Sequence, residues 1–157
     1  MLASTTLAAL PIGVVSPVAF AQCAIQPTAN VQGSVTNTSP STSPINCISI
    51  SGITVTNNIT NPSMAVIISE TSFSPPTRTG ITISNSSIGG AIVNAGQVNG
   101  PGILITNNAT VSGGISNADT ISAGGRGIDV FFASTFAGGI SNSGTISAAP
   151  TGIFVFE

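Results

Sequence analysis

Few side chains in this 157-residue chain can carry out acid–base or nucleophilic chemistry. It contains no His, Tyr or Trp, and its charged residues are two arginines and four carboxylates. These are Arg78, Arg126, Glu70, Asp119, Asp129 and Glu157. Paired carboxylates at a defined separation hydrolyse glycosidic bonds, and Asp119 and Asp129 are the candidates for such a pair.

The surroundings of the two aspartates in sequence favour a structural role for both. Asp119 stands where the related segments have glycine at positions 96 and 144, which suits a turn. Asp129 falls on the outward side of a predicted strand, three residues after Arg126, and a surface ion pair between them contributes under about 1 kcal/mol. The chain also lacks a His or Lys base and a Tyr or Trp for a sugar to stack on. We therefore expect no enzymatic activity, no catalytic residue and no cofactor.

The two cysteines, Cys23 and Cys47, are the other reactive side chains. In an oxidising compartment an isolated even pair suggests one disulfide, and closing a loop of about 25 residues contributes roughly 3 kcal/mol by the chain-entropy estimate. Two unpaired buried thiols are the alternative. A metal site would need further ligands, and the sequence has no His to supply them. We expect no bound metal.

The composition predicts an all-β protein that is almost uncharged. Charged residues make up 4% of the chain and the net charge is −2, whereas an ordinary soluble domain has about 25% charged residues. Val, Ile and Thr suit half-buried strands, and Gly, Asn and Ser suit the turns between them. With so little positive charge, we expect no binding to a nucleic-acid backbone.

An internal repeat dominates residues 51–157. The segment GGISNADTIS from Gly113 returns as GGISNSGTIS from Gly138, and GGAIVNAGQVN from Gly89 is a more distant copy. A glycine followed by alternating β-branched residues recurs from Gly52, Gly80, Gly102, Gly127 and Gly152. The step between copies is roughly 22 to 28 residues, a period that indicates one coil of a β-solenoid per repeat, and we expect four to five coils.

Strand alternation then predicts which side chains point inward. One inward column consists of Ile53/Val55, Ile81/Ile83, Ile103/Ile105, Ile128/Val130 and Ile153/Val155. Ile92, Ile115 and Ile140 form a second column, and Val98, Ile121 and Ile146 continue it beyond a turn. On the outside, Thr54, Thr82, Leu104, Asp129 and Phe154 would share a column, with Phe131 stacked on Phe156.

Asparagine and glycine recur at fixed places in these repeats. Asn94, Asn117 and Asn142 fall at one position of successive coils, which predicts a structural ladder of stacked amides at a corner where Asn also tolerates left-handed backbone. A ligand site built from these amides is the alternative. The paired glycines at 89–90, 113–114 and 138–139 should supply corner dihedrals, and Gly124–Gly127 should form another corner.

The N-terminal part of the chain, before residue 51, differs from the repeats. Residues 1–21 end in the sequence AFA and have an apolar core, which is typical of a signal peptide cleaved after Ala21, although the basic residues expected at its start are missing. The alternative is an apolar disordered tail. Residues 22–50 are rich in Pro, Ser and Thr and form a separate segment with the possible disulfide.

The repeats resemble the passenger region of bacterial autotransporters of alphaproteobacterial type. The unit GGISNSGTIS followed by G-I-x-V, and the two cysteines after the signal sequence, carry this resemblance over nearly the whole chain. It implies a right-handed parallel β-helix at the cell surface or outside the cell. Such proteins end in an outer-membrane β-barrel translocator, which this sequence does not include, so we expect a passenger truncated before its barrel and open at its C-terminus, periplasmic if it is made only as given.

Three classes of function follow from these expectations. The first is a non-enzymatic surface scaffold or adhesin-like passenger, which would associate with itself through the C-terminal edge and face a host or neighbouring cell. The second is a solenoid that binds ice or a polysaccharide surface through outward threonines, although the column beginning Thr54 and Thr82 loses its threonines at Leu104. A polysaccharide-degrading enzyme is the third and the least favoured.

Overall fold

The computed structural model describes residues 23–68, 80–132 and 135–156, and within these ranges it contains strands and no helix. Residues 1–22 lie outside the described ranges, and so do the predicted signal peptide, Glu70, Arg78 and Glu157. The strands form four parallel sheets that run along the length of a solenoid. The prediction of an all-β parallel solenoid is confirmed.

Each complete coil contributes one strand to each of the four sheets in turn. Sheet A contains β2 (Ile48–Ser51), β6 (Ile81–Ser84), β10 (Ile103–Thr106), β14 (Ile128–Phe131) and β18 (Ile153–Phe156). Sheet B contains β3 (Thr54–Val55), β7 (Ser87–Ile88), β11 (Thr110–Val111) and β15 (Thr135–Phe136). Sheet C contains β1 (Val35–Thr36), β4 (Ile59–Asn61), β8 (Ile92–Asn94), β12 (Ile115–Asn117) and β16 (Ile140–Asn142). Sheet D contains β5 (Val66–Ile68), β9 (Gln97–Asn99), β13 (Thr120–Ala123) and β17 (Thr145–Ala148).

The coils are numbered by these strands. The first coil contains β2 to β5, the second β6 to β9, the third β10 to β13 and the fourth β14 to β17, and β18 starts a further turn. Every pair of neighbouring strands is parallel and in register, so that Ile103 lies between Ile81 and Ile128. Like residues therefore stack on like residues, as the near-identical segments from Gly113 and Gly138 require: Ile115 pairs with Ile140.

The core is a set of isoleucine and valine columns inside the solenoid. The predicted columns at Ile81/Ile83, Ile103/Ile105 and Ile128/Val130 point inward, and all six side chains are buried. The columns through Ile92 and Ile115 and through Val98 and Ile121 are buried as well. Burying one such side chain contributes roughly 1.5–3 kcal/mol, so the columns provide most of the stabilisation of each coil.

The first position of the sheet A column was predicted wrongly. Ile48 and Ile50 pair with Ile81 and Ile83, whereas Val55 pairs with Ile88 in sheet B. Both segments alternate in the same way, but the chain leaves sheet A at Gly52, whose φ of +70° turns it into the next sheet.

The step from the first coil to the second is longer than the repeat predicted. Asn61 and Asn94 are in register in sheet C at a sequence separation of 33. The extra length is the stretch 69–79, which lies between β5 and β6. The repeat is therefore regular from β6 onward and interrupted before it.

The solenoid also extends further toward the N-terminus than residue 51. Strand β1 pairs with β4, Val35 lying against Ile59. Three isolated parallel bridges place further residues along coil 1: Ile25 against Ile48, Val31 against Val55, and Ile45 against Ile67. The segment that the sequence set apart as residues 22–50 thus contains a partial coil from Ile25 to Ile45 and most of strand β2.

The glycine pairs serve two purposes rather than the one expected. Gly114, Gly138 and Gly139 have positive φ, as corner dihedrals require. Gly89, Gly90 and Gly113 do not, and at each of them a Cβ would collide with the backbone of the preceding coil; at Gly113 it would lie 2.7 Å from the nitrogen of Ala91. At these three positions glycine is needed for close packing between coils.

Candidate functional site

Buried polar side chains in the described ranges are dominated by one column of asparagines at the end of sheet C. Asn94 donates to Oδ1 of Asn117 at 2.7 Å, and Asn117 donates to Oδ1 of Asn142 at 2.7 Å. The column continues toward the N-terminus: Asn37 donates to Asn61 at 2.9 Å and Asn61 donates to Asn94 at 2.8 Å. These five residues form a continuous ladder of amides across the partial coil and all four complete coils.

Four of the five ladder residues are closed to solvent, and Asn142 is the exposed end of the ladder. Asn37, Asn61, Asn94 and Asn117 are at most 1% exposed. The amide groups of Asn61, Asn117 and Asn142 also donate to a backbone carbonyl, that of Gln97, Asp119 and Gly144 respectively. Because a buried amide left unpaired costs about 1–3 kcal/mol, the ladder holds the coils in register. Its amides bond to one another from coil to coil.

The ladder asparagines do not have the left-handed backbone that the sequence suggested for them. The asparagines with positive φ are Asn85, Asn107 and Asn108. Asn85 and Asn107 immediately follow sheet A strands, at the position where the first coil has Gly52 and the fourth has Phe132, which also has positive φ. The left-handed asparagines therefore lie at the corner between sheets A and B, whereas the left-handed glycines Gly114, Gly138 and Gly139 lie between sheets B and C.

The two cysteines are bonded to each other across neighbouring coils. Cys23 and Cys47 form a disulfide with a Cα–Cα distance of 4.7 Å. Cys47 is buried and directly precedes β2, and Cys23 lies next to the segment that bridges to β2 through Ile25. The disulfide ties the partial coil to coil 1. Apart from this bond, the partial coil pairs with coil 1 through strand β1 and three isolated bridges.

The candidate carboxylates lie in different parts of a coil. Asp129 is on the outer face of sheet A, in register with Leu104 and Phe154, and accepts two hydrogen bonds from Arg126 at 3.0 and 3.2 Å. The guanidinium of Arg126 also lies over the ring of Phe154, 3.7 Å from its centroid. Asp119 is in the turn between β12 and β13, and its carbonyl accepts from the side chain of Asn117.

An aromatic patch lies next to this ion pair on the last strands of sheet A. Phe131 stacks against Phe156 with centroids 5.6 Å apart, and Phe154 is parallel to Phe156 at 6.4 Å. Phe132 adds a contact of 4.0 Å to Phe131. Phe132 and Phe156 are exposed, and so are Ile153 and Val155 of β18.

The sequence did not predict the columns of polar side chains that lie on the outer faces of sheets B and D. On sheet B, Thr54, Ser87, Thr110 and Thr135 are in register and point outward. On sheet D, Asn99, Ser122 and Ser147 form a column beside Thr120 and Thr145. The residue types change from coil to coil, so only the pairing of the strands reveals these columns. Register corrects the predicted outer column of sheet A too, which starts at Ser49 and not at Thr54.

An open polar groove of about 430 Å³ lies at the corner between sheets A and B. Its walls come from the partial coil and the first three complete coils: they include Asn30, Thr54, Asn85, Ser87, Asn108 and Thr110. A smaller recess of about 200 Å³ lies near Asn37, Pro40 and Met64. Of the two, the groove presents more polar side chains.

The described ranges contain no group of three or more His, Cys, Asp or Glu side chains placed to hold a metal ion. Within the same ranges, the structure has no helix long and apolar enough to cross a membrane.

Comparison with protein families, with curated proteins and with solved structures finds no match to this chain.

Proposed function

We propose that this chain is a non-enzymatic, exported β-solenoid that acts as a scaffold at the cell surface, as the passenger region of an autotransporter does. The observation that carries the proposal is the ladder from Asn37 to Asn142. This largest set of buried polar groups in the described ranges stacks the coils on one another. A solenoid stacked in this way presents a long, regular surface on which binding sites can be placed.

The disulfide between Cys23 and Cys47 supports export, since disulfides persist in oxidising compartments and are rare in the cytosol. A non-enzymatic role is supported by the ion pair, because Arg126 occupies both oxygens of Asp129. The proposed partners are an outer-membrane translocator, a surface that the scaffold meets, and other copies of the chain at the exposed side chains of β18.

Export is tested with residues 1–30 fused to alkaline phosphatase, which is active only outside the cytoplasm, after a basic segment has been added in front of Met1. We expect enzymatic activity of the reporter and cleavage after Ala21. Ala19→Leu with Ala21→Leu should abolish cleavage. A reporter that stays inactive, or that is cleaved equally well in the double variant, would contradict the proposed signal peptide.

Surface display is tested with the whole chain joined to an outer-membrane translocator and carrying an epitope between Gly124 and Gly125. These glycines suit an insertion, because nothing lies within 4 Å of a Cβ built at either one. We expect an antibody to label intact cells and added protease to remove the label. Labelling only after the cells are broken would contradict a surface scaffold.

A second candidate function, binding to a regular surface such as ice, is favoured by the polar columns of sheet D. Asn99, Ser122 and Ser147 are in register, about 4.8 Å apart from coil to coil. Thermal hysteresis of the purified chain tests this candidate. It should be present in the wild type and lost when Thr120 and Thr145 are both replaced by Lys. A wild type without thermal hysteresis rejects ice as the surface.

A further inference from the structure

The groove between sheets A and B is built from one outward-facing column and the corner residues beside it. Thr54, Ser87 and Thr110 are successive members of the sheet B column. Asn85 and Asn108 belong to the neighbouring corner, and both have left-handed backbone, with φ of 48° and 57°. Three successive coils thus bring five polar side chains to one groove.

The backbone that carries these side chains is held by hydrogen bonds between coils. The N–H of Thr54 bonds to Oδ1 of Asn30 at 2.8 Å, that of Ser87 to the carbonyl of Ile53 at 3.1 Å, and that of Thr110 to the carbonyl of Ser86 at 2.8 Å. The N–H of Asn108 reaches the carbonyl of Phe132 at 2.8 Å. The backbone of the groove is therefore tied to the neighbouring coils.

The side chains themselves are not used by the fold. Within residues 23–68, 80–132 and 135–156, the hydroxyls of Thr54, Ser87 and Thr110 and the amides of Asn85 and Asn108 make no hydrogen bond to the protein. They stand in contrast to the ladder asparagines, whose amides are bonded to one another. Hydroxyls and amides both donate and accept, so the groove offers both kinds of group.

The chemistry of the groove selects a class of ligand. No charged side chain of the described ranges lines it, which disfavours phosphates, uronates and peptides that bind through charge. The N–H groups of Thr54, Ser87 and Thr110 are already bonded, so an extended peptide could not add itself as a further strand through them. A neutral ligand rich in hydroxyls can bond to the free side chains. Their spacing of about 4.8 Å along the axis is close to the length of one sugar ring.

We propose that this groove binds a neutral oligosaccharide lying along the solenoid axis, with the side chains of Thr54, Ser87 and Thr110 bonded to successive sugar units and those of Asn85 and Asn108 fixing its edge. The affinity should be weak, in the millimolar range, because the groove is open and no aromatic side chain of the described ranges lines it. This inference does not depend on export or on attachment to a translocator.

The test is an NMR titration of the purified chain with xylohexaose and with maltohexaose, with trigalacturonate as the charged control. We expect saturable shifts of the backbone amides of residues 52–54, 85–87 and 108–110 with at least one neutral hexasaccharide. Trigalacturonate should cause none. Neutral sugars that produce no saturable shift at tens of millimolar, or a charged sugar that binds better, would overturn the proposal.

Substitutions of the groove residues test whether the sugar binds in the groove. Thr54→Val, Ser87→Ala and Thr110→Val together remove three hydroxyls at nearly constant shape, and the affinity should fall roughly tenfold or more. The matched control Thr120→Val with Thr145→Val removes two hydroxyls from sheet D and should leave the affinity unchanged. Equal losses in the sheet B and sheet D variants would overturn the assignment to the groove.

The corner amides are tested separately. Asn85→Gly with Asn108→Gly keeps the left-handed backbone, removes both amides and should also weaken binding. An unchanged affinity in this variant would overturn the role given to the two asparagines at the edge of the sugar.

Discussion

The side-chain amide of Asn94 lies 2.7 Å from the side-chain oxygen of Asn117, one coil further along the solenoid, and both residues are buried. Asn94 also accepts from Asn61 on its other side. Asn142 occupies the exposed end of the same ladder. Substituting Asn94 and Asn142 separately therefore compares the stability contributed by a buried ladder asparagine with that contributed by an exposed terminal one.

Replacing Asn94 by Ala should lower the free energy of unfolding by roughly 3 kcal/mol, because Asn61 loses an acceptor and Asn117 loses a donor inside the core. Replacing Asn142 by Ala should cost under about 1 kcal/mol, since Asn142 is itself exposed and the amide of Asn117 keeps its bond to the carbonyl of Asp119. Urea denaturation followed by circular dichroism measures both. Equal effects of the two substitutions would mean that burial of the ladder is not what stabilises it.

Phe132 occupies the left-handed corner position that is Gly52, Asn85 and Asn107 in the three preceding coils, with a φ of 51°. This backbone costs a non-glycine residue about 1 kcal/mol or more. Phe132→Gly should therefore be more stable than Phe132→Ala by about 1 kcal/mol, both having lost the same aromatic contacts. At Phe131, the last residue of β14, the order should reverse because glycine weakens a strand. Thermal unfolding of the four variants gives the comparison, and the same order at both positions would refute it.

Residues 1–157 expressed on their own should associate through the exposed side chains of β18. Ile153 and Val155 are 43% and 48% exposed, whereas Ile128 and Val130, their partners one coil earlier, are fully buried. Exposed apolar strand edges recruit other strands. Static light scattering at tens of micromolar should show oligomers for the wild type. Ile153→Lys with Val155→Lys should give a monomer whose last coil is less stable.

A charge-matched control for that experiment is Ser112→Lys with Ser122→Lys, which adds two lysines to exposed positions of the third coil. It should still associate, because it leaves the edge unchanged. A wild type that stays monomeric over the whole concentration range, or a control that dissociates as fully as the edge variant, would contradict association through β18.

Removing the disulfide by Cys23→Ala with Cys47→Ala should loosen the partial coil more than the rest of the solenoid. The two cysteines are separated by 24 in sequence, and loss of the bond should cost roughly 3 kcal/mol by the chain-entropy estimate. Hydrogen exchange of amides between Ile25 and Ile45 should accelerate, while exchange in the second and third coils should change little. Acceleration spread evenly along the chain would show that the bond does not act locally.

The regular part of the fold could be read from sequence because its period is nearly constant. From β6 onward, sheet A strands recur at almost equal steps, and alternation then predicts that Ile81, Ile103 and Ile128 stack. The same period places Asn94 and Asn117 above one another. Stacked coils require equal residues at equal positions, so repetition in sequence is direct evidence of pairing in space.

What sequence could not decide was the pairing where the period breaks. Ile48/Ile50 and Ile53/Val55 have the same local pattern, and only the turn at Gly52 and the contacts with Ile81 and Ile88 assign them to different sheets. Asn37 and Asn61 are 24 residues apart, which is close to one coil, but the separation of 33 between Asn61 and Asn94 hides their equivalence to the rest of the ladder.

The groove was the feature that could least be predicted from sequence and most required the tertiary structure. Thr54, Ser87 and Thr110 share no repeated motif, and their common face appears only when three coils are stacked in register. Alternation along a strand is a local property of the backbone, which the order of residues determines. Register between strands that are distant in sequence is set by turn geometry and by packing of the whole core, and these arise only in the folded chain.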